Sequence, residues 1–319
     1  MVNQITRDRM NRLGGVFHEL SQQWPEGVAA IAQAEVSEQV YQSNAIEWSS
    51  LTLDETESII GGGVVPREVP MREVFEAKNL ARVMNELVSA SGPPPLDVST
   101  VLRWHGTLLS NIRDDAAGRF RQGREWVRVG NHVGAAPDVV AQWTQYLLSW
   151  YAGEAADQVG CPADQPVWFL DRIARFHLEF ETIHPFVDGN GRIGRVLINQ
   201  QLIALGWPPI MVRNKGKKRD YYPLFQNYAV NQRFSGMTSL LALLLSESLH
   251  KRITVLAGRR AVPLATWVKE AGVGASSAAN KAARQTIPAF RLRDKWMIDA
   301  KFSGDYDAWL QEFDSGLVG

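Results

Sequence analysis

Between positions 184 and 195 the chain reads His184-Pro185-Phe186-Val187-Asp188-Gly189-Asn190-Gly191-Arg192-Ile193-Gly194-Arg195. Each residue type has a use in phosphate chemistry. Two glycines let successive backbone N–H groups converge, and a helix starting behind them adds the positive end of its dipole; together they cradle a phosphate. Arg192 and Arg195, three apart, share a helix face and clamp further phosphate oxygens. Asp188 is a hard oxygen ligand suited to Mg²⁺ shared with phosphates. His184 is a base that is neutral near pH 7 and takes a proton from an attacking hydroxyl. Taken singly these features are ordinary: a lone Gly-x-Gly is a turn, a lone loop histidine is structural or solvated. Their concentration at one helix start is not.

Elements on both sides must hold this segment. The apolar spacing predicts helices over about 72–88, 97–111, 137–152, 166–183, 191–205, 219–230 and 235–252. Trp126, Val127 and Val129, between glycines 123 and 130, read as a short extended hairpin within 118–133. Residues 1–42 show no strong period; 43–48 looks like a short helix and 50–57 like the start of another. Gly61-Gly62-Gly63, Gly92-Pro93-Pro94-Pro95 and Gly206-Trp207-Pro208-Pro209 are breaks. The body reads as mainly α with one small β element.

Residues 259–300 differ. Leu264–Ala271, closed by Gly272, and Ser276–Gln285 look like two helices. Phe290, Leu292, Trp296 and Ile298 then alternate around Arg293-Asp294-Lys295, which suggests a hairpin. Helix, turn, helix and hairpin make a winged helix-turn-helix-like pattern. The segment is locally basic: Arg259, Arg260, Lys269, Lys281, Arg284, Arg291, Arg293 and Lys295 face only Glu270, Asp294 and Asp299. That fits DNA phosphates, or a dimerisation or target-docking module of the same shape. The second helix, starting Ser276-Ser277-Ala278-Ala279-Asn280-Lys281, offers few side chains to read bases, which favours docking.

Composition bounds the rest. In 319 residues, 34 Lys+Arg balance 34 Asp+Glu, which argues against a surface that coats nucleic acid or an anionic membrane. Apolar residues at 45% and charged residues at 21% are ordinary for a chain with a core. The single cysteine, Cys161, excludes an internal disulfide and a multi-cysteine zinc site. The N-terminus lacks a signal-peptide apolar region, and Leu240–Leu245 is too short to span a bilayer. A cytoplasmic protein with no membrane partner is expected.

The 184–195 segment matches the His-x-Phe-x-Asp/Glu-Gly-Asn-Gly-Arg-x-x-Arg signature, and the chain resembles the Fic (Fido) family over roughly residues 40–250. Arg175–Ile183 resembles the helix entering that motif. Gly118-Arg119-Phe120-Arg121 with Trp126–Gly130 resembles the family's hairpin flap. The resemblance implies a mainly α Fic core that transfers AMP from ATP to a Ser, Thr or Tyr hydroxyl of a target protein. It also implies the roles. His184 is the base and Asp188 the Mg²⁺ ligand. Gly189, Asn190 and Gly191 form the anion nest, while Arg192 and Arg195 bind the β- and γ-phosphates. The flap of Glu125, Trp126, Val127, Arg128, Val129 and Gly130 aligns a target segment as an added strand. Tyr221-Tyr222 resembles the tyrosine pair beside the nucleobase; Ala229 stands where an Asn is common, and Asn231 is the nearest substitute.

Ser43-x-x-x-Glu47 resembles the family's inhibitory motif, Ser/Thr-x-x-x-Glu-Gly/Asn, with Trp48 in place of Gly/Asn. An N-terminal position implies a class II member, in which Glu47 pairs with Arg195 and removes the γ-phosphate clamp. The expected organisation is an N-terminal helical region with the inhibitory helix (1–70), a Fic core (71–252), the winged-helix-like module (259–300) and a C-terminal tail (301–319). Removal of AMP by the same site, or a nucleotide sensor acting through the C-terminal module, is the alternative. A homodimer and self-modification are also compatible with the resemblance.

Overall fold

The computed structural model describes residues 3–65, 67–89, 91–130, 132–156 and 166–314; Cys161 lies outside them. Two compact units result. One comprises 32–160 and 171–237, the other 1–31, 161–170 and 238–319.

The first unit holds the 184–195 segment. Its helices are α3 (Val36–Ile46), α4 (Leu53–Ile60), α5 (Met71–Leu87), α6 (Val98–Leu109), α7 (Val140–Ala156), most of α8 (Pro166–Ile183), α9 (Asn190–Ala204) and α10 (Tyr222–Asn231). Local chemistry explains the starts. Thr52 and Glu55 form a reciprocal capping box ahead of α4, and Asp97 accepts the Thr100 N–H ahead of α6. A π-helical turn, Lys217–Tyr221, leads directly into α10. Helix α3 packs on α4, α5 and α9, and α5 and α6 pack on each other and on α9. Trp104, Leu108, Phe186, Ile193 and Leu197 are fully buried in this core. The expected hairpin is present and short: β1 (Arg128–Val129) pairs antiparallel with β2 (His132–Val133).

The second unit contains α1 (Gln4–Gln23), most of α2 (Pro25–Ala34) and most of α11 (Ser235–Leu256). Beyond them come β3 (Ala261–Pro263), α12 (Leu264–Ala271), α13 (Ala275–Ala283), β4 (Ala289–Leu292), β5 (Lys295–Asp299) and α14 (Tyr306–Asp314). The helix, helix and hairpin expected at 259–300 occur in that order, and β3 adds a third strand in the order β3-β5-β4. Asp299 is fully buried at the strand end, where Trp309 Nε1 donates to it at 2.7 Å and Arg259 pairs with it at 3.1 Å.

Two regions depart from the sequence reading. Residues 3–42 are helical almost throughout, and within the expected tail Tyr306–Asp314 forms α14. Helix α1 buries Met10, Leu13, Val16, Phe17 and Leu20 at spacings of three and four, a stripe diluted by Gly14, Gly15 and polar neighbours. Among the described residues no helix is long and apolar enough to cross a membrane.

Candidate active site

His184 follows the last turn of α8, its N–H bonded to Phe180 O at 2.9 Å. It takes a left-handed φ of +52°, a conformation uncommon outside glycine. Arg121 holds it there. That guanidinium, 2% exposed, donates to the carbonyls of His184 (2.8 Å), Ile183 (3.2 Å), Glu125 (2.9 Å) and Ala135 (2.8 Å). One buried side chain thus ties the loop after α8 to the segments on either side of the β1–β2 hairpin.

The imidazole Nδ1 lies 3.3 Å from Glu181 O and 3.7 Å from the Glu181 carboxyl. With Nδ1 turned to α8, Nε2 is the nitrogen left for substrate. Burial lowers the His184 pKa to about 4, so the ring is neutral at pH 7. Burial pushes Glu181 the other way, up to about 8, and this carboxyl is protonated beside it.

The loop to α9 is closed by one side chain. Asn190 Oδ1 accepts Phe186 N–H at 2.9 Å, and its Nδ2 donates to Phe186 O at 2.8 Å. Asn190 therefore shapes the nest rather than pointing its amide at a ligand. Gly189 sits at φ +82°, and a Cβ there would press on Leu108 at 3.0 Å. The first intrahelical bond of α9 runs from Ile193 N–H to Gly189 O, so the amides of Asn190, Gly191 and Arg192 lead the helix at its positive end.

Around this nest the charges interlock. Asp188 accepts from Gly189 N–H (2.6 Å) and Arg192 (3.0 Å) through one oxygen, and from Arg72 (2.6 Å) through the other. Although burial opposes it, Arg192 and Arg72 keep its pKa below the usual carboxylate range. Arg192 also pairs with Glu76 at 3.1 Å. His105 stacks on Phe186 at 3.7 Å and is held to about pKa 4 by burial. Its Nδ1 accepts the Gly118 N–H at 3.1 Å, so its Nε2 donates to Asp188 O at 3.1 Å.

Arg195, 8% exposed, spends its donors on α3. Its Nε donates to Ser43 Oγ at 2.9 Å, and its Nη2 donates to Ser43 O at 2.9 Å and to Glu47 Oε1 at 2.8 Å. Glu47 also covers the nest: a Cβ on Gly191 would overlap its Oε1. The structure thus brings Ser43 and Glu47 onto Arg195 across 152 and 148 residues of chain.

The flap and the aromatic residues are placed as follows. Arg119 binds Glu125 through both carboxylate oxygens (2.7 and 2.8 Å), and this pairing drops the Glu125 pKa to about 2. Trp126 and Val129 are exposed, and Val127 O accepts Gly134 N–H at 3.1 Å. Gly130, after Arg128 and Val129, takes a positive φ of +57°. Tyr221 is buried with its hydroxyl on His177 Nε2 at 2.7 Å, so it belongs to the core. Tyr222 is part-exposed and donates to Ile46 O at 3.1 Å. Asn231 ends α10, exposed and bonded to Asn227. It lies nine residues along that helix from Tyr222, or roughly 14 Å at 1.5 Å per residue, so the two are not brought together.

Residues 95–202 match the model described as Fic/DOC family. The chain contains a Fic domain. Among curated relatives, Protein adenylyltransferase Fic of Drosophila melanogaster is 29% identical over 185 residues, covering 57% of this chain and 35% of that protein. Protein adenylyltransferase fic-1 of Caenorhabditis elegans is 28% identical over 176 residues, covering 54% and 33%. The chain thus matches about a third of the length of these relatives. In fold, it resembles a Fic domain-containing signaling protein from Bacteroides thetaiotaomicron, with a TM-score of 0.64 at 22% identity over 76% of this chain and 97% of that one. A Fic family protein from Desulfovibrio desulfuricans gives a TM-score of 0.61 at 19% identity, covering 96% and 98%.

Five contributors to this site carry no sequence signal of their own: Arg72, Glu76, His105, Arg121 and Glu181. Arg121 was legible only as part of the flap-like segment. Glu181 sits one helical turn before His184, and that spacing is the one cue available.

Proposed function

We propose that this protein is an ATP-dependent protein adenylyltransferase whose resting state is closed by Glu47. The observation that carries the reading is the shared use of Arg195: the guanidinium placed beside the nest is occupied by Ser43 and Glu47. A γ-phosphate must take it from Glu47 before ATP lies along α9.

In the open state the amides of Asn190, Gly191 and Arg192 hold the phosphates, where negative charge grows during transfer. Arg192 and Arg195 clamp the outer phosphates. The flap, pinned by Arg121 and by the Arg119–Glu125 pair, offers its edge to an extended target segment. The target hydroxyl then forms a bond to the α-phosphorus as the bond to the β-phosphate oxygen breaks, and pyrophosphate leaves. The hydroxyl proton passes to His184 Nε2, while Nδ1–H stays on Glu181 O.

Asp188 suits a Mg²⁺ only as one carboxylate ligand beside substrate phosphates, because Arg72 and Arg192 share its oxygens. No cluster of three or more His, Cys, Asp or Glu among the described residues could hold an ion alone. Bound there, Mg²⁺ would neutralise phosphate charge. For residues 259–300 we favour protein docking over DNA, since α13 exposes chiefly small side chains around Asn280 and Lys281.

Glu47→Gly protein incubated with ATP labelled at the α-phosphate tests the reaction. Label retained on protein from α-labelled but not γ-labelled ATP supports adenylyl transfer. Retention of the γ-label alone would make the site a phosphotransferase.

A further inference from the structure

The inhibitory turn carries a residue at odds with its own backbone. Trp48 has a φ of +72° and is 69% exposed. A left-handed conformation is costly for a bulky side chain, and the motif that this segment resembles has Gly or Asn there. Trp48 is held by what lies under it: the Lys217 ammonium is 4.0 Å from the ring centroid and Lys218 is 5.3 Å away, within cation–π range.

Lys217 is the more informative partner. Its side chain is buried, and its Nζ donates to Ala45 O at 3.0 Å and Ile46 O at 2.8 Å. These are among the last carbonyls of α3, which lack intrahelical donors, and a cation there also meets the negative end of the helix dipole. Glu47 is the next residue. Its N–H bonds Asn44 O, and the Trp48 N–H bonds Ala45 O, the same carbonyl that Lys217 holds.

We propose that Lys217 is a positioning residue for the Glu47 brake: clamped between the end carbonyls of α3 and the Trp48 indole, it fixes the turn that aims Glu47 at Arg195. Burying an ammonium for structure alone is expensive unless its hydrogen bonds are made, and here they are made only while α3 keeps its last turn. The clamp also sits on the π-helical turn 217–221, whose next residue, Tyr222, donates to the same Ile46 carbonyl. A base that moves Tyr222 therefore disturbs the carbonyl that Lys217 grips, which links nucleotide entry to release of Glu47. The link to activity rests on the adenylyl-transfer reading above; the clamp itself does not.

Two readouts separate them. Hydrogen exchange over residues 43–50 reads the clamp without any chemistry. Lys217→Met removes both charge-assisted hydrogen bonds to α3 and should speed exchange at the Glu47, Trp48 and Ser49 amides by about tenfold or more, and Lys217→Arg should restore it. Self-labelling reads the brake. Lys217→Met should raise it several-fold in the Glu47 protein and add nothing in a Glu47→Gly background. Where Lys217→Met does not fold, Trp48→Leu, which keeps bulk and removes the ring face, should give a smaller rise in both readouts. Unchanged exchange, or an equal change of labelling in both backgrounds, overturns the proposal. Faster exchange with no labelling even by Glu47→Gly supports the clamp and refutes adenylyl transfer.

Discussion

Glu47→Gly should separate ATP from ADP. In the closed state Arg195 makes three hydrogen bonds to α3, and only the 2.8 Å bond to Glu47 Oε1 involves a charged partner. A hydrogen bond to a charged group contributes about 1.5–3 kcal/mol net. The Glu47 side chain is 40% exposed, against 8% for Arg195, and solvent screening places this pair near the low end. ATP must displace that bond to gain Arg195, so removing Glu47 returns about 1.5 kcal/mol, or roughly tenfold in Kd. ADP lacks the γ-phosphate that competes for Arg195, so its gain, limited to the uncovering of the nest at Gly191, should be smaller than that of ATP. Calorimetric titration with ATP and ADP, both in a His184→Ala background that stops turnover, measures the difference. Equal gains for the two nucleotides, or no gain for ATP, would refute the claim that Glu47 and the γ-phosphate compete for one guanidinium.

Other outcomes follow from single residues. Because burial puts His184 at about 4, self-labelling by Glu47→Gly protein should be level from pH 6 to 8 on the account of this base. It should fall as pH drops through about 4, where the ring gains its proton; a midpoint near 6.5 in the rate profile would remove His184 from the buried environment described. Glu181, raised to about 8, binds a proton in the folded state that the unfolded chain releases above its ordinary 4.5, so its share of stability fades as pH rises from 4.5 to 8. Urea unfolding of Glu181→Gln should therefore lose less stability between pH 6 and 8 than the parent. Arg121→Met leaves four carbonyls without their buried donor and should cost about 3 kcal/mol or more of unfolding free energy, together with most self-labelling.

The order of these elements was legible because the residues that signal them act locally. Gly189 and Gly191 mark the nest, Asp97 caps its helix, and the Gly and Pro runs end others. What escaped was set by contacts distant in sequence. Helix α1 shows its apolar stripe only once Gly14 is seen to be buried. Asn190 reads as part of the nest, but that its amide closes the loop on Phe186 was not visible. Tyr221 and Tyr222 are adjacent and chemically alike, yet one is sealed against His177 while the other reaches α3. Arg121 and Lys217 work through backbone carbonyls, which every residue carries, so no partner type in the sequence points to them. The Ser43–Glu47 spacing was visible, but that Trp48 tolerates its φ because Lys217 lies beneath it was not.

The central claim is that one site both transfers an adenylyl group through His184 and is closed by Glu47. Intact-mass spectrometry after incubation with ATP and Mg²⁺ tests it on three proteins: the parent chain, Glu47→Gly, and Glu47→Gly with His184→Ala. Adducts of one adenylyl mass are expected on Glu47→Gly, far fewer on the parent, and none on the double variant. Equal modification of the parent and Glu47→Gly, or adducts that survive loss of His184, would contradict it.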